Sequence, residues 1–256
     1  MIEEKMKELL EIRDDDELLK ELENVLIFYS EKSYKNKYIK RFIPDSGKVY
    51  GVPLPILRKI ASELGKFGKE NPEKVISILK SIWKKGSFEE RIVVAKTLER
   101  MKNIDHAISL SLISGFLDDI SDWAICDNLA CFSLRPIITG YPEEVLPLCL
   151  EWVRSEKKWI RRFGVVSLYS LAHEKKRRTS KEELEVIDVL MREEDRDVRR
   201  GVSWILREFS KKNQDVVFEF LLRYSKEKNR NTRWIVRNSI AKLEDRKRKQ
   251  ILDSLL

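Results

Sequence analysis

Five stretches of the chain share one pattern, RIVVAKTL from Arg91, DNLACFSL from Asp127, RFGVVSLY from Arg162, RGVSWILR from Arg200 and RNSIAKLE from Arg237. Each opens on a charged residue, continues through apolar or small residues, and reaches a leucine six or seven positions later. The intervals between them are 36, 35, 38 and 37 residues. A unit of that length is too short to bury its own apolar face, so it must stack on its neighbours, and a period in this range is that of paired-helix repeats. Throughout the chain the apolar residues recur at three and four rather than at two, and Gly and Pro punctuate the segments. The sequence therefore predicts an all-α fold: a right-handed α-solenoid of HEAT-like helical repeats, one domain over residues 1–256 with about six helix pairs. The exception is YKNKYIKRFIPDSGKVYGVPLPILRKI, where Pro44, Gly47, Gly51, Pro53 and Pro55 predict an irregular loop near residues 40–55 before a helix opens close to Pro55.

In a stacked array the second helix of each pair lines a concave face. If the recurring charged position lies at its inner rim, four units present Arg91, Arg162, Arg200 and Arg237 and one presents Asp127. Two readings of the arginines follow. They face a polyanion, or they bridge carboxylates of neighbouring repeats. The charge is unevenly placed, which suits a polyanion partner and a merely solvated basic surface alike: residues 151–256 hold 28 Lys and Arg against 18 Asp and Glu, whereas residues 1–150 hold 23 against 25. A basic half-chain is the electrostatic footprint of a nucleic-acid partner. WIRR at Trp159, WILR at Trp204 and WIVR at Trp234 repeat a further motif in that half. Residues i and i+3 share a helical face, so Trp159 with Arg162, Trp204 with Arg207 and Trp234 with Arg237 can each set an indole beside a guanidinium, as a nucleic-acid strand would require. A tryptophan at helical spacing also serves as core.

Several classes are excluded. The three cysteines, Cys126, Cys131 and Cys149, show no CxxC spacing, so neither a disulfide framework nor a zinc site is expected. The amino-terminal MIEEKMKELLEIRDDDELLKELE is charged at helical spacing, and no run approaches ~18 apolar residues. The expectation is a cytoplasmic protein with no membrane contact, no metal and no organic cofactor, and monomeric.

The stretch SDWAICDNLACFSL sets Trp123 and Asp127 one turn apart in an otherwise apolar helix, with Ser121 or Asp122 as its cap and Pro136 limiting its end. A carboxylate among arginines weakens phosphate binding. Cleavage of a nucleotide's glycosidic bond supplies a reason for it: the sugar gains positive charge, which a fixed carboxylate stabilises and an adjacent indole attracts. The competing reading is an ion pair between Asp127 and Arg162 of the next repeat, which would also orient the acid.

With these positions in view, the chain resembles the AlkD-type family of DNA alkylation repair enzymes, DNA glycosylases built from HEAT-like repeats. The resemblance runs from the Tyr38–Lys59 loop through Phe209, and rests on Trp123 and Asp127, on WIRR ending in Arg162, and on SWILREFSK around Trp204 and Arg207. It implies Asp127 as the catalytic carboxylate, Trp123 and Trp204 flanking the lesion's deoxyribose, Arg162 and Arg207 on the backbone, and Tyr38 near the same cleft. It implies as substrate double-stranded DNA carrying N3- or N7-alkylated purines, whose positive charge makes the base a good leaving group without base flipping or a general acid. His106 and His173 lie outside these motifs and read as structural or surface residues. The chain departs from the family pattern where Asp122 and Ala124 flank Trp123, at Ser170, where a lysine is frequent, and in the longer Phe42–Val49 loop.

Overall fold

The computed structural model describes residues 1–41, 48–101, 103–175 and 179–255. The centre of the expected irregular loop, with Pro44 and Gly47, lies outside the described residues. All described regular structure is helical, with no strand among those residues, and the chain divides into two compact units, Met1–Phe116 and Leu117–Leu256.

The first unit contains α1 (Ile2–Glu11), α2 (Asp15–Phe28), α3 (Lys32–Arg41), α4 (Leu54–Glu70), α5 (Pro72–Lys85), α6 (Phe88–Leu98) and α7 (His106–Phe116). α2 starts where Asp14 accepts a hydrogen bond from the Glu17 amide at 2.8 Å, which satisfies one of the amides a helix start leaves without an intrahelical partner. α4 opens at Leu54 behind Pro53, close to the start the sequence predicts, and buries Leu57, Ile60, Ala61 and Leu64 on one stripe. That stripe packs on α1, α5 and α6. Before α4, the backbone at Tyr50, Gly51 and Val52 donates three hydrogen bonds, at 3.1, 2.6 and 3.2 Å, to one oxygen of the fully buried Glu89. Gly51 has φ +92°, and a Cβ there would lie 2.6 Å from Lys35 and 2.7 Å from the Glu31 carbonyl. Only glycine meets both demands. The end of the irregular segment is thus fixed by one carboxylate and one glycine.

The second unit contains α8 (Trp123–Asn128), α9 (Arg135–Gly140), α10 (Pro142–Trp152), α11 (Lys158–Val166), α12 (Tyr169–His173), α13 (Lys181–Asp188), α14 (Arg196–Ser210), α15 (Gln214–Tyr224), α16 (Arg230–Ser239) and α17 (Asp245–Ser254). α8 packs on α11, α11 on α14 and α14 on α16, while α10 packs on α13 and α15 on α17. Asp127, Arg162, Arg200 and Arg237, the aligned charged positions of the sequence, fall on α8, α11, α14 and α16 respectively. Polar contacts recur at the same separation: Arg162 with Asp127, Arg192 with Glu227 and His173 with Glu208 are each 35 residues apart. Helices one period apart are therefore neighbours in space. Phe163 and Phe209, both buried, anchor α11 and α14, and removing each ring from water contributes roughly 2–3 kcal/mol. Gly164 lets α11 approach α10, because a Cβ there would meet Val153 at 2.9 Å and the Cys149 carbonyl at 3.0 Å.

Candidate functional site

α8 is only 6 residues long, and two features delimit it. Asp122 caps its start, accepting hydrogen bonds from the Ala124 and Ile125 amides at 2.8 and 2.9 Å, so the acid preceding Trp123 has a structural task. Its end comes earlier than Pro136 requires. Residues Leu129–Ser133 widen into a π turn, with the Leu134 amide bonded to the Leu129 carbonyl at 3.0 Å, and Pro136 falls instead in the first turn of α9. A π turn within a helical run carries one extra residue and re-aims the side chains around it, and such turns concentrate at functional sites.

Asp127 sits just before that turn. Arg162 of α11 reaches across to it with a paired grip, Nε donating to Oδ1 at 2.9 Å and Nη2 to Oδ2 at 2.7 Å. The third guanidinium nitrogen, Nη1, donates to the Asp197 carbonyl in the first turn of α14. Three successive helices of one row are thereby tied through a single arginine. The side chains are 13% (Asp127) and 7% (Arg162) exposed. Burial pushes the Asp127 carboxyl above its ordinary value, against the opposing pull of the Arg162 charge and hydrogen bonds. Burial also works against the guanidinium and is the largest single influence on it, yet the charge and hydrogen bonding of Asp127 together with smaller neighbouring charges leave Arg162 above its ordinary value. The two directions differ in what they favour, the acid shift the neutral carboxyl and the guanidinium shift the charged pair; the grip of Nε and Nη2 on both carboxylate oxygens is the geometry of an ionised pair. Each carboxylate oxygen retains a lone-pair direction that the guanidinium does not fill, so the pair holds the acid in place without exhausting it.

The remaining candidates divide between the two units. Trp123 opens α8 and is half-buried. Trp159 is half-buried on α11, its carbonyl accepts from the Cys126 thiol at 3.5 Å, and Lys158 Nζ lies 4.6 Å from its ring. Trp204 is half-buried on α14, its ring 5.0 Å from that of Tyr169. Arg207 is also half-buried; its Nη1 donates to the Asn238 carbonyl at 2.6 Å, and burial lowers its pKa. Arg200 and Arg237 are exposed. Tyr38 belongs to the first unit, where its hydroxyl donates to the Val52 carbonyl at 2.9 Å and its ring lies 5.4 Å from Phe88. Burial, then the Glu89 charge, pushes its pKa up to about 12.

The structure distributes the Trp–Arg motifs differently from their spacing. Arg162 turns to Asp127 and Arg207 to a carbonyl, while Trp234 has the guanidinium of Arg199 at 5.1 Å from its ring. Cross-helix partners one period away win because each guanidinium has five donors to satisfy and a neighbouring helix offers fixed acceptors. Ser170, a position where the sequence departs from the expected lysine, is buried, with its hydroxyl donating to the Cys131 carbonyl at 3.2 Å. It ties α12 to the π turn, a place where an ammonium would be desolvated. The three cysteines are buried free thiols.

The surroundings of Trp204 hold residues to which the sequence motifs give no role. Its Nε1–H donates to Glu208 at 3.2 Å, and the other oxygen of Glu208 meets His173 Nε2 at 2.9 Å and Lys211 Nζ at 2.5 Å. Trp204 and Glu208 are four apart in SWILREF, a spacing that puts both on one helical face. The contribution of His173 comes from another helix and has no local signal.

Comparison with solved structures finds smu.31 from Streptococcus mutans UA159, with 16% identity, a TM-score of 0.55, and alignment over 73% of this chain and 100% of that one. This is a likeness of fold. An engineered protein aligns over 99% of this chain and 81% of its own at 12% identity, with a TM-score of 0.35. No curated protein matches the chain. The model of the family described as "DNA alkylation repair enzyme" matches residues 28–243, which span every candidate named above from Tyr38 to Arg237. The chain belongs to the DNA alkylation repair enzyme family.

Proposed function

We propose that the protein is a monofunctional DNA glycosylase that removes cationic N3- and N7-alkylated purines from double-stranded DNA. The observation that carries this reading is Asp127: a largely buried carboxylate just before a π turn, clamped by Arg162 on both oxygens and still holding free lone pairs. In the proposed step the bond from the sugar carbon to the base nitrogen breaks and its electron pair neutralises the cationic ring. The sugar becomes oxocarbenium-like. Asp127 stabilises that charge and orients a water, which adds to the sugar carbon and loses a proton. No acid is needed on the leaving group and no cofactor enters. Trp123 and Trp204 line the sugar, their ring faces attracting the developing cation. Arg162 positions the carboxylate, and Arg207, Arg200, Arg237, Trp159 and Tyr38 contact DNA. We further read the row α8, α11, α14 and α16 as the concave, basic face of a HEAT-like solenoid that receives the duplex without flipping the lesion.

The test is release of 7-methylguanine and 3-methyladenine from methylated duplex DNA by wild-type protein and Asp127→Asn at matched DNA occupancy. Release by wild type alone supports the reading. The alternative, a non-catalytic DNA- or RNA-binding module, draws support from the same Asp127–Arg162 pair, which suffices as a tie between repeats. No release from either protein, with both bound to DNA, would favour it.

A further inference from the structure

Trp204 is held by an assembly that the proposed chemistry does not yet use. Glu208 lies one turn further along α14 and is 8% exposed. One carboxylate oxygen accepts the indole Nε1–H of Trp204 at 3.2 Å. The other is occupied by Lys211 Nζ at 2.5 Å and by His173 Nε2 at 2.9 Å, which reaches it from α12, 35 residues away. Tyr169, one turn before His173 on α12, has its ring 4.3 Å from the imidazole and 5.0 Å from the indole of Trp204. Trp204 is thus fixed at its edge by Glu208 and flanked by Tyr169. An indole on a free rotor would sample several orientations about its two side-chain torsions. A carboxylate held at its far oxygen by two partners selects one of them. Burial alone would raise the Glu208 carboxyl, but the hydrogen bonds and charges of Lys211 and His173 together outweigh it and hold the group below its ordinary value, so it is an acceptor at neutral pH.

We infer that Glu208 is a positioning residue for the glycosylase reaction: backed by His173 and Lys211, it sets the plane of the Trp204 indole, which attracts the developing sugar cation only when its face is turned to it. This rests on the reading of Trp204 as a residue beside the reacting sugar. The attraction of a cation to an indole follows the ring's quadrupole, strong over the face and reversed at the edge. A rotated indole keeps its bulk and loses that stabilisation.

Two measurements test the inference. In protein carrying 15N-labelled tryptophan, the Trp204 indole N–H resonance is identified by its loss in Trp204→Phe. Glu208→Ala is expected to shift that resonance and to speed its exchange with solvent by roughly tenfold, the loss of about one hydrogen bond, while the other five indoles stay in place. In the second measurement, single-turnover base release at saturating protein is compared among wild type, Glu208→Ala, Trp204→Phe and the double variant. Misorientation of one group is expected to lower release by roughly tenfold in Glu208→Ala, with no further loss when that change is added to Trp204→Phe. An unmoved indole resonance, or an equal loss from Glu208→Ala in the Trp204→Phe background, overturns the inference. If Glu208→Ala does not fold, Glu208→Met keeps most of the side-chain volume, offers the indole N–H no oxygen acceptor and carries both comparisons in the same direction. Failure of wild type to release any base overturns the glycosylase reading and the catalytic half of this one, and the resonance then decides separately whether Glu208 holds Trp204.

Discussion

Replacing Arg162 by methionine removes three hydrogen bonds at once, two to the Asp127 carboxylate and one to the Asp197 carbonyl. Methionine fills much of the same volume, so the cost is electrostatic. Asp127, with its side chain only 13% exposed, would be left as an unpaired charge in the interior. Breaking a buried pair on one side in this way costs about 3–5 kcal/mol, and loss of the hydrogen bond to the Asp197 carbonyl, which keeps its helical partner, adds about 1 kcal/mol. At roughly 2–4 °C per kcal/mol for a domain of this size, the midpoint of thermal unfolding should fall by about 10 °C or more. The double variant Asp127→Leu with Arg162→Met discards the orphaned charge as well. It should recover all but about 1 kcal/mol, the share of the Asp197 carbonyl. Urea denaturation of the wild type, the two single variants and the double variant measures the coupling directly. A loss below about 1 kcal/mol in Arg162→Met would show that the Asp127 site is wet and the pair ordinary, and would refute the premise that Asp127 acts from a dry, fixed position.

Asp127→Asn keeps an acceptor for Arg162 and removes the charge, so base release should fall by at least about a hundredfold while DNA affinity in a filter or anisotropy assay stays level or improves. The same carboxyl sets a pH dependence. Its pKa in the fold is raised by burial, so its ionised form is lost as pH falls through that raised value, and the acid limb of single-turnover release should lie above the ordinary aspartate value of about 3.9. Removing the opposing charge in Arg162→Gln should move the limb to higher pH. In stability the sign is the reverse: a raised folded pKa contributes stability that is complete below the unfolded value and is lost as pH rises through the folded one. Gly51→Ala, which adds a Cβ at φ +92° against Lys35 and Glu31, should cost about 1–3 kcal/mol in urea denaturation. Glu89→Ala should cost about 3 kcal/mol or more by orphaning three backbone amides. Replacing the exposed Arg200 and Arg237 by alanine should weaken binding evenly across DNA sequences and lower the slope of log affinity on log salt by about one for each phosphate no longer neutralised.

The local pattern of the chain carried a great deal. Apolar spacing at three and four determined that the fold is helical, because a helix of this composition must bury one stripe and cannot do so with a period of two. The interval of 35–38 residues determined which helices would be neighbours: Asp127, Arg162, Arg200 and Arg237 lie on four helices that pack in succession, since equal units stack only in equal register. The carboxylate of Asp127 stood out because the aligned segments carry arginine, and its pairing with Arg162 was legible as one of two readings. What tertiary structure alone decided was where each side chain spent its hydrogen bonds. Trp204 with Arg207 and Trp234 with Arg237 are same-face pairs in sequence, yet Arg207 turns to the Asn238 carbonyl and Trp234 receives Arg199 from α14. His173 gave no local sign of its place beside Glu208, and nothing in YGVP announced that Glu89, 38 positions beyond Gly51, would hold its backbone. The physical reason is range. Helical propensity and periodicity act over a few residues and are written in the sequence, whereas a buried charge takes its partner from whichever neighbouring helix can satisfy it, and only the packed chain fixes that neighbour.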